Sequence, residues 1–416
     1  MKQFILLAFL FPPHPGVGVF RWSQLCKYLA RLDYTIHVVT VDWQTDREDT
    51  LLDAVRHPNI KIHRIPSGGP HNLRIKNFHN RSLNGVRNKI FHHCIDKHFF
   101  YDDEAQRWGK HCIPYCLKLM DSTGCSTVVA TGTPFSVNLL AASLKKIRPG
   151  MRLVQDFRDI WSDNLAWRNK LHNAVRFREM EIAATSAADM NVTVAELCRQ
   201  SFLSHNPNAR FTLIRNGFDP EFYAPRPTRE PLDKTQPKTM VHLGSIYGGR
   251  EVACELLLDY VARHPDVCRA VFAGVLPRSL REQFKNALNF SFLGAVSPEQ
   301  ARKLLMEADV ALNFNAKPTP EMAATKMYEY AAMGVPILSV DYGGEPSALV
   351  RDNAWGLSVN PDETDFDTAV TEFLEHADRY TPSYESVEKY SYVNIAGEYD
   401  HLLTELTSFP ADGVKP

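Results

Sequence analysis

The chain has 416 residues, 44 % apolar and 23 % charged, with a formal net charge of −1. At roughly 100–200 residues per domain this predicts two domains, each with enough apolar material for a core. A charge so close to zero sets up no overall field for a polyanion, which argues against a nucleic-acid partner.

The first apolar run, Phe4–Phe11, is eight residues long and stops at Pro12-Pro13 with no small-residue cleavage site behind it. It therefore reads as a buried strand and not as a signal peptide. No stretch approaches the ~18 apolar residues of a membrane span. Further strand-like runs follow at Thr35–Val41, Ser126–Thr131, Arg152–Asp156, Met190–Val194 and Phe211–Ile214. Helix-like stretches separate them at Val19–Arg31, Asp103–Met120, Phe135–Ile147 and Asn173–Ala187. Such βαβ alternation predicts a parallel sheet covered on both faces. The rhythm breaks at Asn216-Gly217-Phe218-Asp219-Pro220, and a stretch rich in proline and charge follows to Lys238. Alternation then restarts, with strands at Thr239–Leu243, Ala270–Ala273, Asn289–Phe292, Val310–Asn313, Pro336–Val340 and Leu357–Val359. Helices fit Glu251–Arg263, Leu280–Ala287, Pro298–Glu307, Thr325–Met333 and Asp365–His376, and a last one fits Val393–Leu406.

The expected fold is α/β, with two Rossmann-like doubly wound domains facing each other across a cleft. An N-terminal domain spans 1–218, a linker 219–238 and a second domain 239–390. The segment 391–416 is a C-terminal helix and tail free to pack on either domain, with a return to the first one in view. Segment 66–100 departs from the alternation: it is basic, with several histidines and phenylalanines. It reads either as a surface touching a membrane or, without a clean amphipathic period, as a solvated loop with one helix. Eight scattered cysteines, none in a CxxC pair, exclude a disulfide scaffold and fit the cytosol. His92, His93, Cys94, His98, His111 and Cys112 invite a zinc reading, but their spacing fits no familiar site.

In doubly wound sheets, ligands bind outside the carboxyl ends of the strands, so motifs that follow strands carry the chemistry. Between the first strand and helix lies Pro15-Gly16-Val17-Gly18-Val19-Phe20-Arg21. Its glycines would let backbone approach a ligand, and the helix N-terminus offers free N–H groups; a plain tight turn explains it equally well. Asp156-Phe157-Arg158-Asp159 ends a first-domain strand. Charges there are costly unless paired with each other or facing a ligand, and both readings stay open. Gly244-Ser245-Ile246-Tyr247-Gly248-Gly249-Arg250 opens onto a helix after the first strand of the second domain. It suits a diphosphate cradle of backbone N–H groups plus Arg250. Finally, Glu321 and Glu329 stand eight apart, one in a loop and one in the helix that ends at Gly334, with Lys326 between them. A loop carboxylate and a helix carboxylate can then point into one cleft, and Glu329 could take both hydroxyls of a ribose. On spacing alone, Lys326 and Glu329 equally make a surface i,i+3 pair.

Taken in order, FPPHPGVGVFRW, TGTPFSVNLLA, VQDFRDIWSDN, IRNGFDPEF, HLGSIYGGR and KMYEYAAMGVPIL resemble the family 4 glycosyltransferases, retaining enzymes of the GT-B fold, in their bacterial surface-polysaccharide form. The resemblance implies that Glu321 faces the donor sugar and Glu329 the ribose, while Arg250 and Lys326, with Gly244 and Ser245, hold the diphosphate. Gly16, Gly18 and Arg21 fall in the loop beside acceptor and phosphate, with Pro15 where many members have glycine. Many members also place a histidine near the transferred sugar. DFRDIW occupies that region here, leaving Asp156, Arg158 and Asp159 as candidates. The implied reaction is transfer from a UDP- or GDP-sugar to a saccharide or lipid-linked acceptor, without a metal or other cofactor. The implied setting is cytoplasmic, with peripheral contact at the inner membrane face left open. Two rivals remain: a non-hydrolysing UDP-sugar epimerase of the same fold and a non-enzymatic two-lobed sugar-binding protein.

Overall fold

The computed structural model describes residues 2–14, 17–43, 51–67, 103–164, 174–224 and 236–408. In the first half, strands and helices alternate as β1 (Gln3–Ala8), α1 (Phe20–Arg31), β2 (Thr35–Val41), α2 (Leu51–Ala54), β3 (Ile60–Ile65), α3 (Asp103–Thr123), β4 (Thr127–Gly132), α4 (Ser136–Ile147), β5 (Arg152–Phe157), α5 (Ala174–Ala187), β6 (Met190–Thr193), α6 (Glu196–His205) and β7 (Phe211–Leu213). The sheet is parallel in the order β3-β2-β1-β4-β5-β6-β7.

The second half runs β8 (Lys238–Leu243), α7 (Glu251–Arg263), β9 (Cys268–Ala273), α8 (Arg278–Gln283), β10 (Phe290–Gly294), α9 (Pro298–Glu307), β11 (Val310–Phe314), α10 (Thr325–Ala332), β12 (Ile337–Val340), α11 (Glu345–Asp352), β13 (Gly356–Val359), α12 (Phe366–Glu375) and α13 (Tyr384–Glu388). Its sheet is also parallel, in the order β10-β9-β8-β11-β12-β13. Two Rossmann-like doubly wound domains result. Strand order reverses between β1 and β4 in one and between β8 and β11 in the other, and the loops after these strands flank the switch points where ligands bind.

Burial on both faces explains the near-continuous apolar strands. In β1, Phe4 and Leu6 pack with Trp22 and Leu25 of α1, while Ile5 and Leu7 pack with Trp108 and Cys112 of α3. Besides the short helices α2 and α13, three elements escape the sequence pattern. The edge strand β3 buries only Ile60 and Ile65, α6 buries only Cys198 and Phe202, and α11 opens with Glu345-Pro346.

The last helix, α14 (Tyr392–Ser408), lies on α1, where Tyr392, Ile395, Tyr399 and Leu402 join the first domain's core. To reach it the chain crosses back beside its first crossing. The Phe218 amide donates to the Tyr390 carbonyl (3.1 Å), and the Tyr392 amide donates to the Phe218 carbonyl (2.9 Å).

One buried charge organises this junction. Asp156, at the end of β5, is fully inaccessible. Its carboxylate accepts bonds from Trp22 Nε1 (2.7 Å), Thr131 Oγ1 (2.9 Å), Tyr399 OH (2.8 Å) and Arg21 Nη2 (3.3 Å). Burial would raise its pKa, but the Arg21 charge and the Trp22 and Tyr399 hydrogen bonds hold it below the usual carboxylate range. Arg21 also donates to the carbonyls of Ile214 (2.8 Å) and Arg215 (2.7 Å). Removing one partner of such a pair strands a buried charge, so Asp156→Ala should lower the unfolding free energy by about 3–5 kcal/mol in urea titrations. A loss within experimental error would show that the network does not hold the junction.

Candidate active site

The loop after β8 and the first turns of α7 and α10 meet at the carboxyl end of the second sheet. Gly244 has φ +116°, a conformation that side chains rarely adopt, and a Cβ there would collide with Nζ of Lys326. Glycine is required because the ammonium of α10 lies directly over this loop. Burial depresses the Lys326 pKa; Glu329 opposes that shift and Arg250 reinforces it. Arg250 stands at the N-cap position of α7, its guanidinium 5.5 Å from the centre of the Tyr247 ring. Ser245 Oγ accepts from the Val275 amide (3.4 Å), which ties the loop to the end of β9. Two cations thus share one glycine loop at a helix N-terminus, and their charges repel each other there. That arrangement suits a dianionic guest.

Glu329 sits one helical turn from Lys326 and is only 9 % exposed, so it is not half of a solvated surface pair. Burial raises its pKa, while Lys326 and a hydrogen bond from Tyr223 counter the rise. Tyr223 is a partner that the sequence did not suggest, since it stands more than 100 positions away in the segment linking the domains. His242, on β8 beneath the loop, is also new. Its Nδ1 meets the Leu312 carbonyl (2.9 Å), and Nε2 has no hydrogen-bond partner among the described residues. Burial, against the Leu312 bond and with help from Lys326 and Arg250, pushes its pKa down to about 3. A neutral ring therefore sits under the two cations.

Glu321 is 7 % exposed, and its pKa is raised by burial and then by Asp159 of the first domain. The carboxylates of Asp159, Glu321 and Glu345 all raise the pKa of Cys198, in the first turn of α6, adding to the effect of its burial. A carboxylate from each side of the cleft is thereby brought to one place. Asp159 also accepts from Thr133 Oγ1 (3.3 Å). Arg158 donates to the carbonyls of Gly18, Gly132 (2.6 Å) and Thr133 (3.3 Å), clasping the loops after β1 and β4. Gly18 and Arg158 are neighbours at the first domain's switch point, as their positions after β1 and β5 require.

Asp156 and Arg21 require correction. At 0 % and 3 % exposure, and bonded to each other inside the core, they form the structural ion pair and do not line the cleft. Gly16 lies outside the described residues, as do 225–235 of the linker and all of segment 66–100 except Pro66 and Ser67. His92, His93, Cys94 and His98 lie there too, while Cys112 faces Cys116 (Sγ–Sγ 3.8 Å) within the core. Among the described residues, no group of three His, Cys, Asp or Glu is placed to hold a metal. No described helix is long and apolar enough to cross a membrane.

Sequence comparison bears on the half that holds the cradle. Residues 237–376 match the family described as "Glycosyl transferases group 1". That span includes the glycine loop, Arg250, Glu321, Lys326 and Glu329. No curated protein sequence matches the chain. Among solved structures, a sucrose-phosphate synthase from Thermosynechococcus elongatus superposes with a TM-score of 0.66 at 15 % identity, covering 98 % of this chain and 100 % of that one. An Anabaena protein in complex with UDP and glucose does so at 0.63 and 14 %, covering 97 % and 100 %. A Listeria monocytogenes protein assigned as a UDP-N-acetylglucosamine 2-epimerase follows at 0.55 and 10 %, covering 100 % and 99 %. At such identities the likeness is one of fold: two facing Rossmann-like domains, the GT-B arrangement.

A charge-assisted bond to phosphate contributes about 1.5–3 kcal/mol, or roughly ten- to a hundred-fold in affinity. Lys326→Ala should therefore weaken nucleoside-diphosphate binding by about that factor, while the melting temperature of the free protein, relieved of a poorly solvated cation, does not fall. Equal affinity in the two proteins would remove Lys326 from the site.

Proposed function

We propose that the protein is a retaining glycosyltransferase that moves a sugar from a nucleoside-diphosphate sugar to a saccharide or lipid-linked acceptor. The observation that carries this reading is Lys326 lying over the Gly244 loop with Arg250 and Glu329 close to it, inside the segment that matches the glycosyl transferases. A role in cell-surface polysaccharide assembly, in the cytoplasm or on the inner membrane face, follows from the sequence resemblance to family 4.

The roles follow from charge. As the glycosidic bond to the donor breaks, negative charge grows on the departing diphosphate. Arg250, Lys326 and the N–H groups opening α7 would stabilise it where it develops. Two cations already meet the diphosphate's charge, so no metal ion is required for that task. The sugar, growing positive, would face Glu321, with Asp159 across the cleft. Asp159 replaces Asp156 as the first-domain carboxylate of choice, because Asp156 is locked in the core. Glu329 would hold the ribose. Closure of the two domains would keep water from the activated sugar.

The test is release of nucleoside diphosphate from UDP-, GDP- and ADP-sugars in EDTA, with a panel of saccharide and lipid-linked acceptors. One donor should be consumed only when acceptor is present, with the product keeping the donor's anomeric configuration. Arg250→Ala should lower kcat/KM by roughly 10²–10³, the cost of losing one preorganised donor. An epimerised donor formed without acceptor would establish the epimerase instead. Tight sugar binding indifferent to nucleotide would establish the binding protein.

A further inference from the structure

Glu345 plays no role in the proposed chemistry, yet it is 3 % exposed and belongs to neither domain alone. It is the first residue of α11 in the second domain, and both of its carboxylate oxygens are held by the first. Oε1 accepts from the Leu197 amide in the first turn of α6 (2.9 Å). Oε2 pairs with Arg215 Nη1 (2.7 Å). Arg215 directly follows β7 and Ile214, and its own carbonyl is bound by Arg21, so it is anchored in the first domain. Its side chain also hydrogen-bonds Tyr328 of α10.

The backbone of the same residue reaches the donor site. The Glu345 amide donates to the Pro320 carbonyl (2.8 Å), one residue before Glu321. Gly344 has φ +83°, and a Cβ there would collide with that carbonyl, so the two loops are packed backbone to backbone. A tie between the domains therefore ends one peptide away from the carboxylate assigned to the donor sugar.

We propose that Glu345 is a positioning residue that couples domain closure to the placement of Glu321. With the domains together, Leu197 and Arg215 fix the Glu345 side chain. That fixes the turn at 343–345, which in turn holds the 320–321 loop. With the domains apart, a buried carboxylate loses both partners, and the loop loses its reference to the first domain. The nucleotide cradle at Gly244, Arg250 and Lys326 is built within the second domain, and the Glu345 carboxylate makes no hydrogen bond to it; of the tie's members only Arg215 reaches its helix, at Tyr328. The proposal rests on the transferase reading for its kinetic consequence but not for its structural one.

The experiment compares the full chain with Glu345→Gln, Glu345→Ala, Arg215→Ala and the Glu345→Ala/Arg215→Ala pair. Small-angle scattering without substrate should show a larger radius of gyration in Glu345→Ala and Arg215→Ala than in the parent. Kinetics should show kcat falling about ten-fold or more, the effect expected of a small misplacement at the reacting centre. Donor KM should hold within about two-fold, since uniform binding is untouched. The double variant should be no worse than the more impaired single one, as for residues acting as a unit. Glu345→Gln, which keeps an acceptor for Leu197 but loses the charge, should fold like the parent and fall between parent and Glu345→Ala. Unchanged scattering together with unchanged kcat would overturn the proposal. So would a loss of nucleotide affinity matching the loss of kcat, which marks a merely structural residue. If the parent turns over no nucleotide sugar, the transferase reading fails, and the scattering comparison alone decides whether Glu345 holds the domains.

Discussion

The junction between the domains depends on a carboxylate with no water around it. Ionised Asp156 in a sealed interior is tolerable only because four side chains from β4, α1 and α14 donate to it. Arg21, its charge partner, also donates to the carbonyls of Ile214 and Arg215 and to Asn216 Oδ1, where the chain leaves the first domain. The same cluster thus fixes α14 to α1 and fixes the exit of the linking segment. The residues just beyond that exit are held too. Phe218 pairs with the returning chain at Tyr390 and Tyr392, and Asp219 takes bonds from Tyr28 (2.6 Å) and Lys27 (2.9 Å) of α1. On its other side, Phe218 and Tyr223 pack into the second domain's core with Tyr328 and Trp355. The crossing is amphipathic, with acid toward one domain and aromatic rings toward the other.

The second domain applies the opposite electrostatics. At the Gly244 loop, cations are brought together without a full complement of anions. Lys326 is held below its ordinary pKa and Glu329 above its own, both by burial. Neutral His242 adds no charge beneath them. A buried cation of this kind is favoured by a nearby negative charge, which is the basis of the proposed donor site. At the junction the charges are satisfied and hold the structure together. At the Gly244 loop burial works against both charged groups, holding Lys326 down and Glu329 up.

Much of this was legible in the sequence, for definite reasons. A strand buried on both faces writes itself as an apolar run, so β1, β2, β8 and β11 stand out. An edge strand such as β3, with Lys61, His63 and Arg64 between its two buried ends, does not. The Gly244 loop stood out in the sequence as a glycine-rich turn between a strand and a helix, whereas the placement of Lys326 over it shows only in the fold. Arg158 and Asp156 both stood as charged residues at the end of one strand, and position alone did not separate their roles. Only the fold shows one clasping loops at the switch point and the other sealed in the core. Tyr223, His242, Arg215 and Glu345 were illegible because each gains its meaning from a partner far away along the chain. The Glu345–Arg215 pair, for example, spans 130 positions.

The claim on which the functional account stands is that the cradle over Gly244 holds a nucleoside diphosphate. The most direct measurement is a crystal structure of the full chain grown with UDP, GDP or ADP, whichever binds. The account predicts the diphosphate over the Gly244 loop, within hydrogen-bonding reach of Lys326 Nζ and the Arg250 guanidinium, with the ribose hydroxyls on Glu329. A nucleotide seated elsewhere in the cleft, leaving Lys326 still over an empty loop, would contradict it.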